Sequence, residues 1–167
     1  MTTREELLST LAPILEAVRA LDLSKPEDAA RSLAQQFPLE GAFMHKVRAQ
    51  VRNGVVEGWL ADRTATDGSG VRFSRVVKDA GGLSVDVVHM SGPAGGGHTH
   101  PNGEVDLCFA VDDPTRTAAG ASPRFDGKPA GFTVYAPNTW HVPTVAGGAM
   151  DILYFLPGGA IVFGAQS

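Results

Sequence analysis

The chain has 167 residues, 43 % of them hydrophobic, and carries a formal net charge of −4 from 14 Lys plus Arg against 18 Asp plus Glu. This length and apolar content suit one domain, residues 1–167, with a substantial core, and argue against a disordered chain. No basic run or stripe offers a nucleic-acid footprint, and no stretch approaches the ~18 apolar residues of a membrane span. Cys108 is the single cysteine, so no internal disulfide can form. The opening Met1-Thr2-Thr3-Arg4-Glu5-Glu6 leads into an amphipathic pattern. We therefore expect no signal peptide and a reducing, cytoplasmic setting.

Residues 1–55 read as helical. Leu7, Leu8, Leu11, Ile14, Leu15 and Val18 recur at helical spacing, and Thr3 with Glu6 can form a capping box. Pro13 inside this pattern is expected to kink the helix or split it. Ser24 with Glu27 forms a second candidate capping box, with Pro26 in the first turn, and that helix should end before Phe37-Pro38. A third helix is expected over 41–52, with Asn53-Gly54 as its stop. Residues 64–70 read as a loop.

After Gly70 the texture changes to short runs rich in β-branched and aromatic residues, at 71–78, 83–90, 104–111, 131–136 and 150–156. Gly- and Pro-rich turns separate them, among them Asp79-Ala80-Gly81-Gly82, Asp112-Asp113-Pro114 and Gly147-Gly148. Residues 70–165 are thus predicted to be a β-sandwich or barrel against which the helical segment packs.

The segment Gly97-His98-Thr99-His100-Pro101-Asn102-Gly103-Glu104 concentrates the chemistry. In an extended backbone His98 and His100 share a face, and Glu104 can return to it after the Pro-Asn-Gly turn. Imidazole and carboxylate together suit a divalent transition metal such as Zn, Fe, Mn or Ni, with His141 as the remaining ligand. Alternation places Glu104, Asp106, Cys108 and Ala110 on one face of their strand and Val105, Leu107, Phe109 and Val111 on the other. Asp106 is then either an acid/base or supporting residue of the site, or a solvated or salt-bridged strand residue. His89 reads as a packed or hydrogen-bonded histidine, His45 as structural or exposed, and Cys108 as a small packed thiol. The apolar face needs cover from the helices, a second sheet or another subunit, and we expect at least a homodimer.

These residues resemble the cupin superfamily, a small β-barrel or jelly roll. Its first motif is matched by Gly92, His98, His100 and Glu104, although Val111 stands where a closing glycine would fall. Gly131, Pro137 and His141 resemble the second motif, one residue short and with Val145 in place of its asparagine. The chain as a whole also resembles the 4-hydroxylaminobenzoate lyases of bacterial nitroaromatic degradation. That likeness is carried by the helical N-terminal part, Gly58-Trp59-Leu60, the His-Thr-His-Pro-Asn-Gly-Glu segment, Tyr135-Ala136-Pro137-Asn138-Thr139-Trp140-His141 and Phe155-Leu156-Pro157-Gly158-Gly159.

The resemblance implies a cytoplasmic, ammonia-releasing carbon–nitrogen lyase that converts 4-hydroxylaminobenzoate to protocatechuate (3,4-dihydroxybenzoate) with help from a divalent metal. Glu104 and Asp106 would be its catalytic carboxylates. The carboxylate of a small aromatic substrate needs a cation, for which Arg75 and then Arg72 are candidates, with surface charge on an edge strand as the alternative. Tyr135 and Trp140 could stack on the ring, and Trp59 reads as core packing. The rival readings are a metal-dependent cupin dioxygenase or isomerase acting on another small organic acid, and a non-catalytic cupin sensor.

Overall fold

The computed structural model describes residues 1–112 and 122–166. Part of the expected Asp112-Asp113-Pro114 turn lies outside them. Three helices come first: α1 (Arg4–Arg19), α2 (Pro26–Gln36) and α3 (Ala42–Glu57). Among the described residues eleven strands follow: β1 (Arg63–Thr64), β2 (Arg72–Val77), β3 (Leu83–Met90), β4 (His98–His100), β5 (Glu104–Ala110), β6 (Arg124–Phe125), β7 (Gly131–Tyr135), β8 (Thr139–His141), β9 (Val145–Ala146), β10 (Met150–Pro157) and β11 (Val162–Phe163). The mainly β architecture with an N-terminal helical segment is the one expected. No helix among the described residues is long and apolar enough to cross a membrane.

The helices form for local reasons. Thr3 and Glu6 close a reciprocal capping box at the start of α1. Pro13 does not split α1, which runs unbroken from Arg4 to Arg19, so of the two outcomes expected the split does not occur. It sits on the exposed side, while Leu7, Leu11, Ile14, Leu15 and Val18 hold the opposite stripe in the core. The second capping box does not form. Lys25 occupies the N-cap of α2 without a side-chain bond, and Ser24 instead bonds Asp22, through both its N–H and its hydroxyl. Pro26 opens α2 as expected.

Asn53-Gly54 does not stop α3, which runs on to Glu57 and is capped by Gly58 in the left-handed region at φ 82°. Gly54 serves a close approach instead. A Cβ there would lie 2.5 Å from Cδ1 of Leu60, and the Gly54 carbonyl accepts the N–H groups of Gly58, Trp59 and Leu60.

Six antiparallel strands form the main sheet, in the order β1-β2-β3-β10-β5-β7. Smaller sheets are β11-β4-β8 and β6-β9. The main sheet buries both faces. Val85, Val87, Val105, Leu107, Phe109, Leu153 and Phe155 meet the helical stripes in one cluster, and Cys108, Ile152, Tyr154 and Leu156 meet Phe125 and Val145 in another. The apolar face of β5 is therefore covered by the chain's own helices.

One buried ion-paired knot fixes that cover. Asp151 accepts from Arg52 of α3 at 2.8 Å and from Nδ1 of His89 at 2.7 Å. His89 is thus committed on the helical side, and His45 sits on the surface beside Glu40.

Gly54→Ala tests the packing argument. Alanine is the better helix former by about 1 kcal/mol, but overpacking against buried Leu60 should outweigh this and lower stability by roughly 1–3 kcal/mol. A urea midpoint equal to wild type would show that Leu60 moves aside without cost.

Candidate metal centre

Strand pairing assembles the cluster. β4 lies against β8 with His98 opposite His141, and alternation turns His98 and His100 to one side. Gly103 donates to the His100 carbonyl at 3.1 Å, closing the turn that feeds the chain into β5. Glu104, the first residue of β5, comes from the main sheet and faces the three imidazoles.

The donor atoms converge. His98 Nε2 lies 3.0 Å from His141 Nε2 and 3.1 Å from His100 Nε2. Glu104 Oε2 lies 3.0 Å from His141 Nε2, 3.3 Å from His100 Nε2 and 4.0 Å from His98 Nε2. Donors bound about 2.1 Å from one ion stand about 3.0 Å apart at right angles and about 4.2 Å apart when opposite. These five distances fall in this range, and all four donor atoms lie within 4.8 Å of one another, so the four side chains can gather around one divalent ion.

The tautomers fit as well. His100 Nδ1 is 2.9 Å from the Ala160 carbonyl, which can only accept, so the proton sits on Nδ1 and the Nε2 lone pair faces the cluster. His141 Nδ1 is 2.8 Å from Asp126 Oδ2 and carries its proton for the same reason. Asp126 also accepts from the Tyr135 hydroxyl and from the Thr144 N–H. It is the carboxylate that orients His141, a candidate metal ligand, and the sequence pattern does not reveal it. Its only local signal is the Asp126-Gly127 turn, in which Asp126 adopts φ 49°.

Burial and charge set the protonation. Burial, with His100 and His141 adding to it, pushes His98 down to about 4, so His98 is neutral at ordinary pH. Burial opposes a charge on His141 too, but hydrogen bonds to Asp126 and Glu104 outweigh it and raise His141 to about 9. Burial likewise works against ionised Glu104 and Asp126, yet their hydrogen bonds, His141's foremost, hold both below the usual carboxylate range. Asp106 moves the other way. It is fully buried beside Glu104, and burial followed by repulsion from Glu104 drives it well above the usual range. Neither of its oxygens, nor Glu104 Oε1, has a donor among the described residues. A proton kept on Asp106 supplies one, as a hydrogen bond to Glu104. Cys108 is the packed thiol expected, pushed up by burial.

Beside the cluster lies a cavity of about 730 Å³. His98 and His100 form one part of its wall, and Phe73, Val88, Tyr154, Leu156 and Phe163 form much of the rest. Arg75 lies on this wall, in phase with Phe73, but is committed to Asp86 through Nε at 2.8 Å and Nη2 at 3.2 Å. Arg72 has the other phase and is not on the wall. Tyr135 and Trp140 also lie off it. The Tyr135 ring packs 4.3 Å from that of His141, and Trp140 donates to the Gly164 carbonyl at 2.9 Å. Trp59 packs against the helical core. The cavity aromatics are instead Phe73, Tyr154 and Phe163.

The profile of the 4-hydroxylaminobenzoate lyase family (PnbB) matches residues 10–163. The chain belongs to the 4-hydroxylaminobenzoate lyase family. A relative of that name from Nocardioides sp. (strain LMS-CY) is 29% identical, the match covering 98% of this chain and 96% of the relative. Another, from Pseudomonas putida, is 28% identical over 100% of this chain and 99% of its own. Among solved structures the chain is similar to a putative acetylacetone dioxygenase from Methylibium petroleiphilum PM1, with 18% identity, TM-score 0.40, and 58% and 67% of the two chains covered. It is also similar to the salicylate 1,2-dioxygenase of Pseudoaminobacter salicylatoxidans, with 13% identity and TM-score 0.42, covering 74% of this chain and 36% of that one.

For this member of the lyase family, two substitutions separate holding an ion from orienting its holder. His100→Ala should abolish stoichiometric metal binding. Asp126→Asn should keep the ligands but weaken metal affinity by roughly 10- to 100-fold. Chelator competition followed by metal analysis reads both, and wild-type affinity in Asp126→Asn would remove Asp126 from the orienting role.

Proposed function

We propose that this chain is a metal-assisted lyase that converts 4-hydroxylaminobenzoate to 3,4-dihydroxybenzoate and ammonia. The observation that carries the reading is the joining of a His3Glu donor set to a largely apolar, aromatic-lined cavity in a chain that aligns over its whole length with relatives of that name. Size and lining suit one aromatic ring with polar groups at its two ends.

The reaction balances with one water consumed. The N–O bond of the arylhydroxylamine breaks and its oxygen leaves as water. A second water adds at the ring carbon next to the nitrogen-bearing carbon, and a third hydrolyses the resulting imine to release ammonia. No external electron acceptor is required. A divalent ion held by His98, His100, Glu104 and His141 would supply Lewis acidity toward the leaving oxygen.

The chain's own residues do the rest. His98 and His100 present the reacting end of the cavity. Asp126 and the Ala160 carbonyl fix the orientation of His141 and His100, so the donor set is held in place before substrate arrives. Asp106, the second carboxylate expected to be catalytic, has no access to the cavity and acts through Glu104. Phe73 and Tyr154 flank the space for the ring. Burial, with Asp106 and Glu104 adding to it, keeps the Tyr154 hydroxyl protonated and able to donate.

Anaerobic incubation of the metal-loaded protein with 4-hydroxylaminobenzoate tests the assignment. Ammonia and 3,4-dihydroxybenzoate should appear in equal amounts without oxygen, and chelation should stop their release. A strict requirement for oxygen would instead make the protein a dioxygenase, and stoichiometric ligand binding without product would make it a sensor.

A further inference from the structure

Among the described residues the cavity wall carries two arginines, Arg63 and Arg75, and they differ in what they contact. Arg75 spends two donor nitrogens on Asp86, and its positive charge is balanced there. Elsewhere Arg19, Arg48, Arg52 and Arg124 each donate to an oxygen. Arg63 has neither an ion pair nor a hydrogen bond among the described residues. It is exposed, but β1 pairs Arg63 with Phe73, and the guanidinium carbon stands 4.9 Å over the centre of the Phe73 ring.

We propose that Arg63 is the residue that recognises the carboxylate of the aromatic substrate. The inference rests on the lyase reading for the identity of that substrate. A guanidinium stacked on a ring keeps its N–H donors in its own plane, at the ring's margin, where they can meet a carboxylate in a two-pronged bond. The 1,4-substituted substrate carries its carboxylate and hydroxylamino group at opposite ends, so the cation that reads the carboxylate must sit across the cavity from the donor set. β1 is the edge strand of the main sheet, separated from β5 and Glu104 by β2, β3 and β10. The carboxylates on the wall do not compete for Arg63. Asp86 is held by Arg75, and hydrogen bonding from the Ser69 hydroxyl and then from the Ser69 N–H, the latter at 2.9 Å, holds Asp67 ionised below its usual range. Arg75 with Asp86 forms a neutral part of the wall that an anion gains little by approaching.

Steady-state kinetics and equilibrium binding on the metal-loaded protein test this together. Arg63→Ala should raise KM for 4-hydroxylaminobenzoate and weaken binding of unreactive 4-aminobenzoate by about tenfold each. It should leave KM for phenylhydroxylamine, which lacks the carboxylate, unchanged. Arg63→Lys should restore part of the binding. Equal losses on the two hydroxylamines, no loss on either, or a carboxylate-selective loss in Arg75→Ala with none in Arg63→Ala would overturn the assignment. So would failure of wild-type protein to bind 4-aminobenzoate. Arg63-dependent binding of 4-aminobenzoate in a protein that releases no ammonia would sink the lyase reading and leave the anchor standing.

Discussion

Strand β5 has to satisfy two environments at once, and much of the molecule follows from how it does so. Its odd-numbered residues, Val105, Leu107 and Phe109, go under the helices, and its even-numbered ones, Glu104, Asp106 and Cys108, go to the opposite face. A slip of one residue would send two carboxylates into the helical core and three large apolar side chains into the site. Register is therefore fixed by the cost of burying charge as much as by apolar burial. β10, paired to β5 over 150–155, repeats the alternation with Leu153 and Phe155 on one face and Ile152 and Tyr154 on the other. The helical layer is in this sense part of the site's construction. It drives the apolar face home, and the polar face has nowhere else to point.

Burying that polar face creates an electrostatic problem that the site solves locally. Three imidazoles and two carboxylates crowd into a space with almost no solvent. Left alone, each charge would be opposed by its own desolvation. The groups instead divide the roles: His98 stays neutral, His141 is charged between Asp126 and Glu104, and Asp106 keeps its proton. A divalent ion held by His98, His100, Glu104 and His141 would meet the same need differently, its charge shared by all four donors in place of the proton charge on His141. The crowding is what makes the donor set both ready for an ion and costly to leave without one.

Much of this could be read in the sequence, and what could not has physical reasons. The five longer strands were legible because alternation over several residues is a strong signal, and Thr3 with Glu6 because a capping box is local. His98, His100 and Glu104 were legible because neighbours in sequence become neighbours in space through one strand and one turn. Strands of two residues, such as β1, β6, β9 and β11, have no period to detect. Asp126 and Arg63 sit in or beside such strands, and their importance comes from what the fold brings near them: His141 for one, Phe73 and the cavity for the other. Gly54 was misread because a glycine that ends a helix and one that admits a neighbour look the same in sequence. Tyr154 could have been found, since Ile152, Tyr154 and Leu156 share a phase, but nothing in the run says which face meets a cavity.

The pairing rows of the main sheet give the face that carries the cavity two kinds of surface, and the cavity lies over their outer ends, at Arg63, Phe73, Arg75, Asp86, Val88 and Tyr154. Arg75, Asp86, Tyr154, Asp106 and Thr133 stand opposite one another on successive strands and form a polar row. The row beside it, Arg63, Phe73, Val88, Ile152 and Cys108, is apolar except at its outer end. A flat aromatic ring is best accommodated over the apolar row, with its polar ends directed away from it. Arg63 terminates that row at the sheet edge, whereas Arg75 stands in the polar row beside its own counter-ion. The same register that delivers Glu104 to the donor set thus decides which arginine remains available to a substrate.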